Sequence, residues 1–560
     1  MEHIPPLTTT QSLLTHLIKD ANVVSYLENK TAITPVNVDR LETELFNYPF
    51  EPFVTHLLQG FRFGFRIGYD GPRQFRFSKN QKSATSLPDV VEHNLLKEVS
   101  VGRTAGPFCS PPFTNFQIYP IGVVPKKHSN EWRTIFHLSH PKQSDNSVNA
   151  NIPKEDYSLQ YVRIHDAINM LTKLGKGAFM AKTDIRSAFR NVPVHPNDWE
   201  LLGMQWNGFF YFDKVLPFGL RSAPHIFNQL SDAIEWIMSN NYSVDNILHI
   251  LDDFFIAEAP PRRHCMTSLC KLLCLLADLN IPVAPRKTFP ASTTLEFLGI
   301  RLDSDNMTAS LPEEKYERLK VDLSSWLTKK FCTLKELQSL IGTLQFACRV
   351  VVPGRPFLQR IIALTRGVAR FSHHIKLNTS FRKDLAMWQI FLDHWNGSNF
   401  FLESKTTQSP DLHFFTDASG SLGYGAFFNN QRFQGQWLPE YHSHTEQGSI
   451  AWKELFPIYL ACMVWGPQWS GKRILLWCDN QSVIDILNSK SSKIPKIMDL
   501  VRKITVQTLI CNFTLTSQHV PGIDNTIADA LSRFQMAKFH ALVPYASPQP
   551  TTIPESLIHI

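Results

Sequence analysis

Two adjacent aspartates, Asp252 and Asp253, interrupt a largely apolar stretch that runs from Ile247 to Ile256. Neighbouring carboxylates repel each other and resist ionisation when buried, so a fold retains them where a cation offsets their charge. The apolar flanks predict two buried strands joined by a tight turn with both carboxylates at its tip. Hard divalent cations take such oxygen ligands, although a lone Asp-Asp pair is more often an ordinary hairpin turn.

A third carboxylate upstream favours the metal-binding interpretation. The stretch FMAKTDIRSAF (residues 179–189) predicts a short strand that ends at Asp184 and leads into a turn. A further stretch, LPFGLRSAP (residues 216–224), contains proline and glycine that allow a close backbone turn before a helix. In this order the three stretches resemble motifs A, B and C of reverse transcriptases. The tyrosine usual two places before the first motif C aspartate is Ile250 here, which departs from the retroviral pattern but leaves the three carboxylates intact.

The resemblance implies a polymerase site that uses two Mg²⁺ ions, with Mn²⁺ as an alternative. Its catalytic and metal-binding residues would be Asp184, Asp252 and Asp253, with the backbone carbonyl of Ile185 as a further metal ligand. Two such ions lie roughly 3.5–4 Å apart, where one activates the primer 3′-hydroxyl and the other neutralises the triphosphate and the leaving pyrophosphate.

Other positions are implied by the resemblance to contact the nucleotide or the primer–template pair. Phe189, five residues after Asp184, would abut the sugar and exclude ribonucleotides, although phenylalanine is also common in protein cores. Phe218 and Gly219 belong to motif B, which lies under the primer–template pair. Lys287, in a stretch that resembles motif D, would donate a proton to pyrophosphate, although a surface lysine explains this position nearly as well.

Residues 121–136 (IGVVPKKHSNEWRTIF) predict a β-hairpin with basic residues on its arms. The spacing K-K-x4-W-R resembles the fingers hairpin of reverse transcriptases, which holds the triphosphate of the incoming nucleotide. The resemblance assigns this role to Lys126 and Arg133, since arginine can bind phosphate oxygens with two hydrogen bonds while lysine acts as a point charge. A solvated hairpin with charged arms is the alternative.

A second set of carboxylates follows in the C-terminal part of the chain. Buried strands are predicted to end at Asp417 and Asp479, and helices to carry Glu454 and Asp529. Their order, together with the run HVPGIDNTIADALSR, resembles the DEDD carboxylates of ribonuclease H. The resemblance implies that the four bind two metal ions that activate water against the RNA strand of a hybrid. It also implies that His519 assists, with a structural histidine as the alternative.

The composition is that of a globular protein with several domains, since 43% of the 560 residues are hydrophobic and 19% are charged. The net charge of +7 suits a polyanionic partner but does not prove one. The nine cysteines form no C-x-x-C pair, and no uninterrupted apolar run approaches the length of a membrane span. We therefore expect a reduced, intracellular protein of the cytoplasm or nucleus without a membrane partner.

These patterns and the resemblance predict an α+β multidomain fold, in which a right-hand polymerase with fingers, ferredoxin-like palm and helical thumb precedes an α/β ribonuclease H-like domain. The predicted domains are an N-terminal extension (1–87), fingers and palm (88–305), helical thumb and connection (306–409), a ribonuclease H-like domain (410–535) and a flexible tail (536–560). Alternating aromatic and basic residues at 61–69 predict an amphipathic strand, with nucleic-acid contact as the second interpretation. Thr333 and Glu336 have the spacing of a helix capping box.

The functional expectation is a reverse transcriptase, an RNA-directed DNA polymerase, with ribonuclease H activity on hybrids. Its expected partners are an RNA template, a DNA primer, the RNA–DNA hybrid, deoxynucleoside triphosphates, and structural and recombinase proteins of the same element. Residues 61–72, 107–112 and the segment from residue 300 resemble the DIRS-type, tyrosine-recombinase retrotransposons. The alternatives are a catalytically inactive, domesticated RNA-binding scaffold and a nuclease without polymerase activity. All seven carboxylates are present, which argues against the scaffold.

Overall fold

The computed structural model describes residues 33–125, 132–141, 146–395, 398–401, 405–441 and 449–560. The chain divides into two compact units. The first contains the described residues up to Arg163 together with Ala178–Ser292, and the second contains Ile164–Gly177 together with the described residues from Thr293 onward. The α+β multidomain class expected from the sequence is confirmed.

Helices and strands are interspersed along the described chain. The helices are α1 (Val38–Glu44), α2 (Glu51–Phe63), α3 (Lys82–Thr85), α4 (Pro88–Ser100), α5 (Ile164–Leu174), α6 (Ala223–Tyr242), α7 (Arg262–Asp278), α8 (Glu313–Thr328), α9 (Leu334–Ala347), α10 (Gln359–Ala363), α11 (Thr379–Trp395), α12 (Ser409–Leu412), α13 (Ile450–Trp465), α14 (Gln481–Ser489), α15 (Pro495–Ile510), α16 (Thr526–Ser532), α17 (Met536–Leu542) and α18 (Glu555–Ile558). The strands are β1 (Arg76–Phe77), β2 (Thr104–Phe108), β3 (Gln117–Ile118), β4 (Ile121–Pro125), β5 (Trp132–Phe136), β6 (Phe179–Asp184), β7 (Gly203–Trp206), β8 (Phe209–Asp213), β9 (Ile247–Ile250), β10 (Asp253–Glu258), β11 (Phe289–Ser292), β12 (Thr294–Phe297), β13 (Ile300–Asp303), β14 (Thr308–Ser310), β15 (Phe331–Thr333), β16 (His374–Lys376), β17 (Ser398–Phe400), β18 (Thr406–Gln408), β19 (Phe414–Ala418), β20 (Gly423–Phe428), β21 (Gln431–Gln436), β22 (Arg473–Cys478) and β23 (Thr514–His519). Over the part of the chain described, no helix is both long and apolar enough to cross a membrane.

The first unit is built on two sheets and a hairpin. One sheet has the antiparallel order β11–β6–β10–β9, and the other has the order β1–β3–β7–β8–β2. The predicted hairpin is confirmed as the antiparallel pair β4 and β5. Helix α6 packs beside β9 and buries an apolar face that contains Phe227, Leu230, Ile234 and Ile237. These side chains recur at helical spacing, so a single long helix supports the end of the β9–β10 hairpin.

The strand predicted at residues 61–69 is wrong in its first part. Helix α2 continues to Phe63 and ends at Gly64, whose φ of +92° favours glycine. Its buried apolar residues are Leu57, Leu58 and Phe61. The chain is extended only from Phe65, which forms a bridge with Val194. The apolar residues at 57, 58 and 61 recur at helical spacing. This longer pattern therefore determines the structure up to residue 63, rather than the alternation of aromatic and basic residues that begins at 61.

The described residues of the predicted N-terminal extension are part of the first unit rather than a separate body. Val36, Leu41 and Leu57 lie in the same hydrophobic core as residues of α6 and β10. The Asn37 N–H also donates a hydrogen bond of 2.8 Å to the Leu279 carbonyl. The sequence predicted an amphipathic strand at residues 61–69 in this region, but no local pattern indicates which surface the region covers.

The predicted domain boundary at residue 305 does not coincide with the limits of the second unit. Helix α5 and strands β12 and β13 belong to this unit, although the boundary at residue 305 assigned them to fingers and palm. Helices α8 to α11 follow. The predicted capping box at the start of α9 is confirmed, because Thr333 Oγ1 accepts from the Glu336 N–H and the Glu336 carboxylate accepts from the Thr333 N–H.

The remainder of the second unit contains two three-stranded sheets. Strands β19–β20–β21 are antiparallel, and strands β18–β22–β23 are parallel. Helix α13 contains Pro457 and is buried along most of its length, where it packs on β19, β20 and α15. This helix is apolar on nearly all sides, which fits its position between the β19–β20–β21 sheet and helix α15.

Part of the segment predicted as a flexible tail, residues 536–560, packs against the rest of the second unit. Helix α17 buries Phe539 completely. Further along, the Ser547 N–H donates to the turn before β21 and the Thr551 N–H donates to the Arg432 carbonyl, both at 2.7 Å. Prolines stop this segment from forming a long helix, but they do not prevent an extended chain from lying along a strand.

Candidate active sites

The pairing of β6 with β10 brings two predicted carboxylates together. Asp184 is the last residue of β6, Asp253 is the first of β10, and the two are direct cross-strand partners. Asp252 and Leu251 form the turn before β10, with Leu251 at φ +54°, so the predicted turn is confirmed with its tip one residue earlier. The Ile185 N–H donates to the Asp252 carbonyl at 2.9 Å. The carboxylates of motifs A and C therefore share one end of the paired strands.

The electrostatics of this end disfavour three free negative charges. Burial raises the pKa of Asp252, and the charge of Asp184 raises it further. Burial also raises the pKa of Asp253, to about 6, with Lys182 opposing the shift and the two other aspartates adding to it. A cation at this position would relieve the repulsion. Because the donors are all carboxylate oxygens, the site fits a hard divalent cation such as Mg²⁺.

Lys287 supplies one positive charge at the same site. It ends a short 3₁₀ turn, and its Nζ lies 2.6 Å from Asp184 Oδ2. Burial lowers the pKa of Lys287, but the hydrogen bond to Asp184 and the charges of the aspartates outweigh burial and raise the pKa above its ordinary value. The lysine predicted from the motif D resemblance is therefore at the carboxylate site, and its partner is Asp184.

The residues predicted to contact the nucleotide include a cluster of aromatic rings. The half-buried Phe189 has its ring centroid 5.4 Å from that of Phe218 and 5.6 Å from that of Phe227. The guanidinium carbon of Arg133 lies 5.2 Å from the Phe218 ring centroid, which is cation–π geometry. Strand β5 and the motif B stretch are thus in contact. Lys126 lies outside the described residues.

A second carboxylate cluster occurs in the second unit. Asp417 lies on β19, Glu454 on α13, and Asp479 directly follows β22. One ligand atom from each lies within 4.8 Å of the other two, a spacing that could hold a metal ion. Burial raises the pKa of Glu454 to about 9, with the charges of Asp417 and Asp479 adding to it. Within the described residues, this is the one group of three acidic, histidine or cysteine side chains that is so closely spaced.

The fourth predicted carboxylate lies beside this cluster. Asp529 on α16 forms ion pairs with Arg533 (2.6 Å) and Lys538 (3.4 Å). Its charge contributes to the raised pKa of Asp417, which burial raises most. His519 is exposed at the end of β23. Its pairing partner on β22 is Cys478, the residue directly before Asp479. The structure therefore brings three of the four carboxylates into one group.

A family comparison bears directly on the first site. Residues 124–302 match the family model described as "Reverse transcriptase (RNA-dependent DNA polymerase)". The matched segment contains Asp184, Asp252, Asp253 and Lys287, the residues that meet at the end of β6 and β10. Residues 124–302 form a reverse transcriptase domain. The resemblance of the three motifs is confirmed at this level.

The reverse transcriptase domain has relatives among Pol polyproteins. The Pro-Pol polyprotein of simian foamy virus type 3 (strain LK3) is 24% identical over 370 residues, which are 65% of this chain and 28% of that protein. The retrovirus-related Pol polyprotein from transposon gypsy of Drosophila melanogaster is 30% identical over 146 residues, which are 26% of this chain and 13% of that protein. The chain spans 20% to 28% of the length of the first three curated relatives.

A solved structure of the foamy viral protease–reverse transcriptase dRH with double-stranded DNA is also similar to this chain. The identity is 18% and the TM-score is 0.47, with 92% of this chain and 84% of that chain covered.

One residue that supports the motif B turn was missed by the sequence predictions. Gly219 has φ +99°, and a Cβ there would lie 2.8 Å from the Phe136 carbonyl oxygen. Asn149 holds this turn of the reverse transcriptase domain, because its amide donates to the Gly219 carbonyl and its oxygen accepts from the Arg221 N–H, both at 2.8 Å. No local pattern could have identified Asn149, since its partners lie about 70 residues away in sequence.

Proposed function

We propose that the chain is an RNA-directed DNA polymerase that extends a DNA primer on an RNA template by two-metal nucleotidyl transfer. The observation that carries this proposal is the convergence of Asp184, Asp252 and Asp253 at one end of the β6–β10 pair, inside the reverse transcriptase domain. The raised pKa of Asp252 and Asp253 supports a cation-binding role. The short ion pair between Lys287 and Asp184 supports it too, because it shows that the site attracts positive charge.

The carboxylates would hold two Mg²⁺ ions, or Mn²⁺ in their place, with the carbonyl of Ile185 as a further ligand. Bound there, the ions would activate the primer 3′-hydroxyl and neutralise the triphosphate. Lys287 would then exchange its contact with Asp184 for the phosphates and deliver a proton to the leaving pyrophosphate. Its exposed side chain and lysine flexibility suit this movement.

The remaining predicted residues would bind the nucleotide. Arg133 and Lys126 would hold the triphosphate, and Phe189 would press against the sugar so that a 2′-hydroxyl is rejected. Phe218 and Gly219 would support the base pair, with Gly219 allowing the backbone to approach closely. The contact of Arg133 with Phe218 supports this arrangement, because it links the β4–β5 hairpin to the motif B turn.

We propose a second activity for the second unit, namely ribonuclease H cleavage of the RNA strand in RNA–DNA hybrids. It is supported by the cluster of Asp417, Glu454 and Asp479, whose ligand atoms have metal-site spacing. Asp529 would join the cluster as a fourth ligand, which requires its carboxylate to leave Arg533. The exposed position of His519 near Asp479 suits a residue that assists proton transfer at the cleaved bond.

The proposed partners are an RNA template, a DNA primer, the RNA–DNA hybrid and deoxynucleoside triphosphates. Template sequence would be read by base pairing, while the protein would contact backbone and 2′-hydroxyls, so binding should weaken as salt increases. We also propose that the source is a DIRS-type retrotransposon whose structural and recombinase proteins act with this enzyme inside the cell. The motif resemblance at residues 61–72 and 107–112 supports this narrower assignment. A catalytically inactive scaffold remains the alternative class.

The test is incorporation of labelled dTTP on a poly(rA)–oligo(dT) template with Mg²⁺. We expect incorporation by the wild type and its loss in Asp252→Asn, by roughly 10³-fold or more as for other essential catalytic groups. Asp245→Asn is the matched control, because Asp245 is an exposed aspartate just before β9. A folded wild type that binds hybrid but incorporates nothing would support the scaffold or a nuclease-only protein. Equal activity of wild type and Asp252→Asn would contradict the assignment of the site.

A further inference from the structure

A histidine lies between two carboxylates directly behind the catalytic turn. His249 on β9 is buried, with its Nδ1 2.5 Å from Glu235 Oε2 and its Nε2 3.2 Å from Asp232 Oδ1. Both carboxylates belong to α6, three residues apart on the helix. Because two negative charges at this spacing repel each other, the cation between them favours the packing of α6 on β9.

The same helix also holds the turn itself. Ser231, adjacent to Asp232, donates its hydroxyl hydrogen bond to the Leu251 carbonyl at 2.8 Å. Leu251 has a positive φ of +54°, a conformation that non-glycine residues adopt only when neighbouring contacts require it. Asp252 follows directly. Helix α6 therefore contacts this part of the chain at two positions. Asp232 and Glu235 contact His249, two residues before Leu251, and Ser231 contacts Leu251 itself.

We propose that Ser231, Asp232, Glu235 and His249 form a clamp in which His249, held between two carboxylates, positions the Leu251–Asp252 turn so that its carboxylates bind metal. This inference deepens the proposed polymerase function and rests on it. His249 is a positioning residue, since it acts on Asp252 and Asp253 through the strand pairing and the turn. We refer to these four residues as the turn clamp.

The charge state of His249 follows from its surroundings. Burial lowers the pKa of His249, but the hydrogen bonds and charges of Asp232 and Glu235 outweigh burial and raise it to about 9. From β10 the facing side chain is the uncharged ring of Phe254, whose centroid lies 5.6 Å from that of His249. Asp232 also accepts from Asn228 and acts on the ionisable groups of Tyr48 and His225.

The raised pKa fixes the sign of the pH dependence. A histidine whose pKa is higher in the folded state stabilises that state fully below its unfolded value of about 6.5. The stabilisation is lost as the pH rises through about 9. The turn clamp should therefore keep its charge at neutral pH and lose it as the pH rises through about 9, while its contribution to the free energy of unfolding declines from about pH 6.5 upwards.

The first experiment measures metal binding rather than activity. In full-length protein that carries Asp479→Asn, which removes a carboxylate of the second cluster, we would titrate Mn²⁺ at pH 7.5 and follow free Mn²⁺ by electron paramagnetic resonance. His249→Gln keeps hydrogen-bonding capacity but removes the charge, and should weaken Mn²⁺ binding about 10-fold, as loss of an outer-shell partner typically does. The matched control is His264→Gln, an exposed histidine on α7. Equal affinity in both variants would overturn the proposal.

A second measurement separates positioning from a purely structural role. With wild type, His249→Gln and Ser231→Ala, we would compare thermal unfolding with the Mg²⁺ concentration for half-maximal primer extension from pH 7 to 9.5. We expect the Mg²⁺ requirement of the wild type to rise towards that of His249→Gln as the pH approaches 9, and Ser231→Ala to be intermediate. A lower unfolding temperature without a change in Mg²⁺ requirement would overturn the proposal. If the wild type extends no primer, the polymerase proposal fails, while the Mn²⁺ titration still decides whether the clamp acts on metal binding.

Discussion

The two carboxylate sites of the molecule are built from similar parts but differ in how their charge is compensated. In the reverse transcriptase domain, Lys287 contacts Asp184 at 2.6 Å and Lys182 acts on Asp253. In the second unit, Asp417 is buried while Glu454 and Asp479 are half-buried, and burial raises the pKa of Glu454 to about 9. The negative charge of the first site is therefore partly offset by lysines of the protein, whereas the charge of the second site depends more on a bound cation to offset it.

The difference lies in where the basic side chains point. Beside the second cluster, Arg533 and Lys538 form their ion pairs with Asp529. The hydrogen-bond partner of Asp417 is the uncharged hydroxyl of Ser532, at 2.5 Å from Asp417 Oδ2. An uncharged partner orients a carboxylate but does little to offset its charge. A carboxylate cluster can therefore be stabilised by a cation that contacts it directly, as Lys287 does, or by a hydroxyl donor together with the more remote charge of Arg533.

The largest expected effect tests whether the two sites are independent. Asp479→Asn should lower cleavage of the RNA strand in a labelled hybrid by roughly 10³-fold or more, while leaving primer extension near the wild-type rate. The reason is that Asp479 belongs to the second cluster alone. Asp485→Asn, an exposed aspartate on α14, is the control and should retain both activities. Cleavage at the wild-type rate in Asp479→Asn would remove the nuclease proposal.

A smaller effect is expected from removing the cation of the first site. Lys287→Gln should reduce primer extension by about 10²-fold, because the proposed general acid and its charge are lost together, and should leave hybrid cleavage unchanged. Steady-state kinetics with dTTP would measure the change in kcat. Arg286→Gln is the matched control, since it removes a positive charge from the same 3₁₀ turn. Equal losses in the two variants would show that the ion pair with Asp184 has no special role.

The smallest effect is expected from removing the hydroxyl group that orients Asp417 in the second site. Ser532→Ala deletes the hydroxyl that contacts Asp417 and should raise the Mg²⁺ concentration needed for hybrid cleavage by about 10-fold. The buried oxygen left without its donor should also cost about 1–3 kcal/mol of stability, measured by denaturant unfolding. Ser482→Ala, exposed at the start of α14, is the control. An unchanged Mg²⁺ requirement would mean that Asp417 is oriented by burial alone.

The sequence predicted those features that depend on neighbouring residues. The strand ending at Asp184, the strand that carries Asp417 one residue before its end, the turn at Asp252 and the capping box at Thr333 all follow from local patterns, and the structure contains each of them. Such patterns are readable because hydrophobic periodicity and turn chemistry act within a few residues.

The sequence could not predict features that depend on distant contacts. Asn149 and Gly219 are 70 residues apart, and the contact of Lys287 with Asp184 joins positions 103 residues apart. At residues 61–69, the burial of one face of helix α2 determined the structure up to Phe63. The alternating pattern predicted extended chain correctly only from Phe65 onward.

The segment that follows α17 has a consequence for the solubility of the second unit. Strand β21 is at the edge of its sheet, and the segment around Thr551 binds backbone groups at its start. An edge strand without such cover presents unpaired N–H and C=O groups, which recruit strands from other molecules and promote aggregation. A version of the protein shortened at residue 535 would expose this edge, so a truncation intended to isolate the second unit should retain the residues up to Thr551.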